Sequence, residues 1–157
     1  MRDSCFLGID TSNYTTSVGL VDEQGHILAN IKRPLPVAEG ARGLRQSDAL
    51  FAHTQNMPDI MDEAHGYLKG CDIKAIGVSR TPRNIEGSYM PCFLAGVNTA
   101  IAAALASKAP LYRYSHQCGH IAAAIYSSGN EALLDGRFAA FHVSGGTTEL
   151  LSVKRAD

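Results

Sequence analysis

Sixteen residues near the end of the chain, FAAFHVSGGTTELLSV, repeat the pattern of sixteen near its beginning, FLGIDTSNYTTSVGLV. A shift of 132 positions lays Phe138 on Phe6, Ser144 on Ser12, Thr147 on Thr15 and Thr148 on Thr16. In each copy two apolar runs flank a polar turn, which is the pattern of two strands around a tight turn. A chain with two such hairpins is expected to complete one unit over residues 1–130 and to open a second over residues 131–157.

Between the hairpins the pattern alternates. HILANIKR reads as a third strand and PLPVAEGARGLR as an exposed loop. From Ser47 to Leu68 apolar residues recur at helical spacing, with Ser47 or Asp48 as N-cap and a break expected near Met57, where Pro58 opens a second piece. IKAIGVS is a short buried strand. The Ala-rich helix that follows Pro91 is apolar nearly all round, so packing on several sides is expected. LYRYS and HQCGHIAAAIYSS add a strand and a helix. Strands alternating with helices imply a mostly parallel sheet with helical cover, and the short first turn makes that edge antiparallel.

Composition narrows the function. A net charge of −1 gives no electrostatic footprint for nucleic acid or an anionic membrane, and no apolar run approaches the roughly 20 residues of a membrane span. The N-terminal MRDSCFLGID lacks a signal-peptide pattern, and Cys5, Cys71, Cys92 and Cys118 form no C-x-x-C pair. They are expected to be reduced, mostly buried thiols of a cytoplasmic protein, Cys118 among the buried ones. Five Phe, six Tyr and no Trp leave little for a base-stacking platform.

Two turns carry candidate chemistry. IDTSNYTTS and HVSGGTTE are rich in hydroxyls and backbone N–H groups, and Gly145 and Gly146 let a ligand approach the backbone. Thr11, Ser12, Ser144, Gly145, Gly146 and Thr147 are the expected phosphate-binding residues, with Asp10 orienting a metal ion or a water. A matched pair of such turns suggests a nucleotide held between two halves. His116 and His120, four apart at the start of a predicted helix, place both imidazoles on one face, close enough to share a metal, and His142 ends the strand before VSGG. Those three are the candidate metal ligands.

LGIDTSNYTTSVGLV, the H-x-x-x-H pair of His116 and His120, and HVSGGTTELL, in this order, resemble the glycoprotease family over about Phe6 to Val153. The resemblance implies an actin-like fold (sugar kinase, Hsp70 and actin superfamily, ribonuclease H-like): an α/β domain with a mixed sheet covered by helices. It implies two such domains, the second cut short here. It further implies transfer of a threonylcarbamoyl group from an adenylate to tRNA, with a divalent zinc or iron ion on the H-x-x-x-H pair, completed by a late acidic residue of the second domain. ATP or the acyl-adenylate, with magnesium, would lie between the halves of the full-length protein. In some members a Tyr before V-S-G is also a ligand, and His142 takes that place. The resemblance also implies a dimer with an identical or related actin-like subunit through residues 47–68, where Met57 and Met61 are expected to be exposed, and tRNA contacts only for the full-length protein.

Departures mark a divergent paralogous branch. The family's Glu-Thr-Ser then Cys-Asp is here Asp10, Thr11, Ser12, Asn13, Tyr14, and its G-P-G-L-x-G-S loop is Thr81 to Ser88, keeping Pro82 and Gly87-Ser88. The usual His after S-G-G is Thr147. Three readings follow: the N-terminal part of a threonylcarbamoyltransferase-like enzyme, itself inactive alone; a non-catalytic dimerisation partner or scaffold of the same fold; and a metal-dependent glycoprotein endopeptidase. The last ranks below the others because Gln117 cannot act as the base that the Glu of H-E-x-x-H supplies.

Overall fold

Strand β1 (Asp3–Asp10) and β2 (Thr15–Asp22) form the first hairpin, followed by β3 (Ile27–Pro34) and helix α1 (Gln46–Tyr67). Then come β4 (Cys71–Thr81), α2 (Phe93–Ser107), β5 (Leu111–Ser115) and α3 (His116–Ser128). A 3-10 turn (Glu131–Asp135) leads to β6 (Arg137–Val143) and β7 (Thr148–Lys154). The computed structural model describes residues 3–37, 40, 43–68, 70–143 and 148–155. The element order is the one the sequence predicts. Contacts divide the chain into two compact units, Met1–His116 and Gln117–Asp157.

In the first unit five strands lie in the order β3-β2-β1-β4-β5. β2 is antiparallel to both β1 and β3, while β4 is parallel to β1 and to β5. The tight connections explain the antiparallel side. Asn13 takes a positive φ of 30° in the first turn. In the second, Asp22 Oδ1 accepts the N–H groups of Gln24 and His26 at 2.9 and 2.8 Å. Alternation along the strands puts Cys5, Leu7, Ile9, Val18, Leu20, Ile76 and Val78 on one face, in one core with Met57, Ile60 and Ala64 of α1 and Ala100 of α2. Both helices therefore cover the same side of the sheet. Each fully buried Leu or Ile contributes about 1.5–3 kcal/mol to that layer.

α1 corrects three expectations. It starts at Gln46 with Arg45 at the N-cap and no side-chain cap, and Ser47 Oγ bonds instead to its neighbour Asp48. It also runs through Pro58 without interruption. Pro58 is on the exposed face, while Ala49, His53, Met57, Ile60 and Ala64 form a buried stripe on the other. An interior proline costs roughly 3 kcal/mol, and burial of Met57 and Ile60 on either side of it offsets that loss. Finally, Met57 is 7% exposed and Met61 packs against the same core. Those two methionines face the sheet, and the large apolar residues that α1 exposes are Phe51 and Tyr67.

α2 is covered on one side rather than several: Phe93, Ala95, Gly96 and Ala100 are buried, while Leu94, Ile101 and Leu105 face outward. The sheet is the only layer beneath it among the described contacts of the first unit, apart from α1. β4 is longer than expected at both ends. Cys5 and Cys92 are buried and Cys71 is half-buried, but Cys118, expected to be buried, is exposed.

In the second unit β6 and β7 pair antiparallel, and their register is that of β1 and β2 moved by 132 positions. Phe6 opposite Val21 becomes Phe138 opposite Val153, and Asp10 opposite Ser17 becomes His142 opposite Glu149. The sequence repeat is thus a repeat of backbone pairing.

His53 is wholly buried between α1 and β2, with Nδ1 2.9 Å from Thr16 Oγ1, which also accepts Asn56 Nδ2–H at 3.1 Å; its Nε2 is buried without a partner. Burial lowers its pKa from the ordinary 6.5, against a smaller opposing pull from Asp10. A lowered folded pKa means stability that is whole above about pH 6.5 and is lost as pH falls below it. The expected slope from this group is at most about 1.4 kcal/mol per pH unit. Chemical unfolding between about pH 7 and 5 should show it in the wild type and not in His53→Gln; equal slopes would mean His53 titrates normally.

Two helical glycines give a second test. A Cβ at Gly96 would stand 2.9 Å from Thr11 Oγ1 and 3.3 Å from Ile9 Cγ2, whereas one at Gly66 meets nothing within 4 Å. Gly96→Ala is expected to destabilise by about 1–3 kcal/mol, and Gly66→Ala to stabilise by about 0.4–1 kcal/mol, as read from denaturant midpoints.

Candidate functional site

β1, β4 and β5 run parallel, so their carboxyl ends, Asp10, Thr81 and Ser115, lie at one edge of the first unit. Ligands of α/β sheets gather at such edges, and the residues there are polar. Strand alternation turns Thr11 inward with Ile9 and leaves Asp10 on the face opposite to α1 and α2.

Asp10 is bound on both carboxylate oxygens. Oδ1 accepts the Ser12 N–H at 2.8 Å, and Oδ2 lies 2.9 Å from Nδ1 of His116, the first residue of α3. The side chains are 25% and 33% exposed. Burial alone would raise the Asp10 pKa, but the hydrogen bond and charge of His116, with Ser12 and Ser79, outweigh it and hold the carboxyl well below the usual range. The His116 ring is backed by Phe93, with centroids 6.4 Å apart and planes at 57°.

Thr11 was expected to face phosphate. Its side chain is instead fully buried, donating to the Cys92 carbonyl at 3.0 Å and accepting the Gly96 N–H at 3.1 Å. Its hydroxyl ties the end of β1 to the start of α2. Ser12 remains in the turn, half-buried, with its N–H engaged by Asp10. Ser144, Gly145, Gly146 and Thr147 lie outside the described residues. The loop after β4 keeps Gly87 at a φ of 74°, and the Ser88 hydroxyl accepts the Arg83 N–H at 3.0 Å. The Ser88 hydroxyl thus helps to close this loop.

In the second unit the rings of His120 and His142 are 5.7 Å apart. Gln117 Nε2 donates to Glu149 Oε2 at 3.0 Å and stands 3.3 Å from His142 Nδ1, which is 3.5 Å from Glu149 Oε2. Glu149 escaped the sequence reading, although the repeat contains it: it is opposite His142 as Ser17 is opposite Asp10. Among the described residues no group of three or more His, Cys, Asp or Glu is arranged to hold a metal ion. No described helix is long and apolar enough to cross a membrane.

No protein-family model matches the chain. It is 31% identical over 156 residues to the tRNA N6-adenosine threonylcarbamoyltransferase of Staphylococcus aureus, covering 98% of this chain and 43% of the relative. It is 25% identical over 148 residues to the protein of the same name from Methanopyrus kandleri, covering 94% and 42%. The chain thus spans less than half the length of the curated relatives it matches. Among solved structures, one described as an uncharacterized protein with similarity to peptidase YEAZ from Pseudomonas aeruginosa superposes with a TM-score of 0.50 at 20% identity, over 96% of this chain and 64% of that one. That likeness is one of fold.

The Thr11 hydroxyl gives the test of this geometry. Thr11→Val keeps the shape but leaves a buried N–H and a buried carbonyl without their partner, and is expected to cost about 1–3 kcal/mol in thermal or chemical unfolding. A neutral substitution would mean that the hydroxyl is not a strut.

Proposed function

The chain belongs to the glycoprotease (threonylcarbamoyltransferase) family, and on that premise we propose that it is the N-terminal part of a metal- and ATP-dependent threonylcarbamoyl transferase of tRNA modification. The fold is actin-like, of the ribonuclease H kind, with a mixed five-stranded sheet. The observation that carries the two-half reading is the repeated hairpin register.

The exposed face of the second hairpin supports it further. Ala139, Phe141, Val143 and Leu150 are the equivalents of Leu7, Ile9, Thr11 and Val18, which α1 and α2 cover in the first unit. In the hairpin Phe141, Val143 and Leu150 are 76%, 70% and 64% exposed. A two-stranded sheet is marginal by itself, so residues 131–157 fit the opening of a second actin-like domain whose own helices cover this face.

In this reading His116 and His120, one turn apart on α3, hold zinc or iron through imidazole nitrogen, with His142 beside His120. The donor chemistry fits: these are borderline ligands suited to those metals, and the remaining acidic ligand belongs to the second domain. The bound ion supplies Lewis-acid polarisation of the carbamoyl carbonyl. Ser12 and residues 144–147 would donate to the phosphate of ATP or of the acyl-adenylate, whose magnesium is carried with it. Transfer RNA is met by the full-length protein. Pairing with a related actin-like subunit across residues 47–68 rests on Phe51 and Tyr67, since Met57 is in the core.

The test uses the full-length protein that contains this chain. With threonylcarbamoyl-adenylate and tRNA, the wild type is expected to modify adenosine and to hold about one equivalent of metal, and His116→Ala/His120→Ala to lose both. Equal metal content in the two proteins would overturn the metal assignment. Metal bound without turnover would favour the non-catalytic scaffold.

A further inference from the structure

We propose that Cys5 and Cys71 are a redox-active dithiol: a peroxide oxidises Cys71, and Cys5 closes on it to give a reversible disulfide between β1 and β4. The pair lies toward the opposite ends of these strands from Asp10 and Thr81, and the proposal is independent of the transferase reading.

Strand register brings the two together. In the parallel pair of β1 and β4, Asp3 is opposite Cys71 and Cys5 is opposite Ile73. Paired residues share a face, so Cys5 and Cys71 are diagonal neighbours on the side that carries the core. Cys5 is wholly buried there, while Cys71 packs against the same core and is only half-buried. Cys71 also lines a cavity of about 800 Å³ with Asp3, Asp22, Glu23, Asp72 and Lys74. Solution therefore reaches one thiol and not the other. Cys92 is buried in a separate cluster, and Cys118 is the lone cysteine of the second unit.

Diagonal neighbours on adjacent strands have Cα atoms roughly 7–8 Å apart, and a disulfide spans about 4.4–6.8 Å. Closure needs a small backbone shift, and the strand end can supply it. Cys71 is the first residue of β4 and follows Gly70 at a φ of 88°, and the register slips between Cys5 and Phe6. A bridge closed against the spacing of the sheet is readily reduced, which suits a switch rather than a staple. The Cys71 thiolate attacks one peroxide oxygen, the O–O bond breaks, and water leaves behind a sulfenic acid. Cys5 then loses its proton and attacks that sulfur; the S–S bond forms, the S–O bond breaks and a second water leaves. Two thiols give up two electrons and one peroxide becomes two waters. Burial, and then the adjoining Cys71 thiol, push the Cys5 thiol up, so Cys5 is the resolving partner and not the first to react. The carboxylates around the cavity outnumber its one ammonium, favouring a neutral peroxide over an anionic oxidant.

The test uses the full chain carrying Cys118→Ser, treated with a small excess of hydrogen peroxide and digested without reductant. Mass spectrometry should find the Cys5 and Cys71 peptides joined, with the loss of two hydrogens, and glutathione should restore both thiols. Cys71→Ser should leave Cys5 reduced, whereas Cys5→Ala should hold Cys71 as a sulfenic acid that dimedone traps. With both cysteines in place, a Cys71 that stays unreacted, or that reaches sulfinic acid beside a reduced Cys5, overturns the proposal. So does a bridge that forms only in denaturant, and none of these outcomes depends on a variant of either cysteine folding. A bridge that glutathione cannot open overturns its role as a switch.

Discussion

The hydroxyl of Thr11 is the contact on which the working end of the first unit depends. It is buried where β1 ends, bonded to a carbonyl and an N–H at the start of α2, and a side chain at position 96 would displace it. Because a strand alternates, fixing Thr11 inward fixes Asp10 outward, toward the first residue of α3. A small buried polar group thereby sets the direction of the ionised one beside it. An unmade bond at such a depth costs more than a made one contributes, which is why the arrangement specifies one geometry rather than merely adding stability.

Much of this was legible from the residues. Strand and helix order followed from periodicity, the mixed sheet from connection lengths, and the second hairpin from the repeat, whose pairing register then agreed residue by residue. What escaped depends on facing partners. Pro58 reads as a break until the stripe from Ala49 to Ala64 is seen to be buried on the other side. An apolar composition cannot say how many layers surround α2, and a Thr in a polar turn gives no sign that its hydroxyl points to the core. Glu149 is of a different kind: the signal was in the repeat, but only the cross-strand pair gives it meaning.

The resemblance to the family also acquires physical content at the departures. Gly87 and Ser88 persist where neighbours have changed, one by its positive φ and the other by closing the loop onto Arg83. Asn13 takes a positive φ of 30° in the turn that has lost an acidic residue, a conformation Asn tolerates better than most.

The outward side of α2 has a consequence for the chain as a solute. Leu94, Ile101 and Leu105 are 38%, 44% and 81% exposed along one side of the helix. With a net charge of −1 and an isoelectric point near 6.6, almost no long-range repulsion keeps two such stripes apart at neutral pH. What remains is short-ranged hydration, which salting-out ions weaken. In colloidal terms the isolated chain sits near its point of least solubility, and a few units of added acidic charge on that helix would move it away without touching the edge where Asp10 and His116 meet.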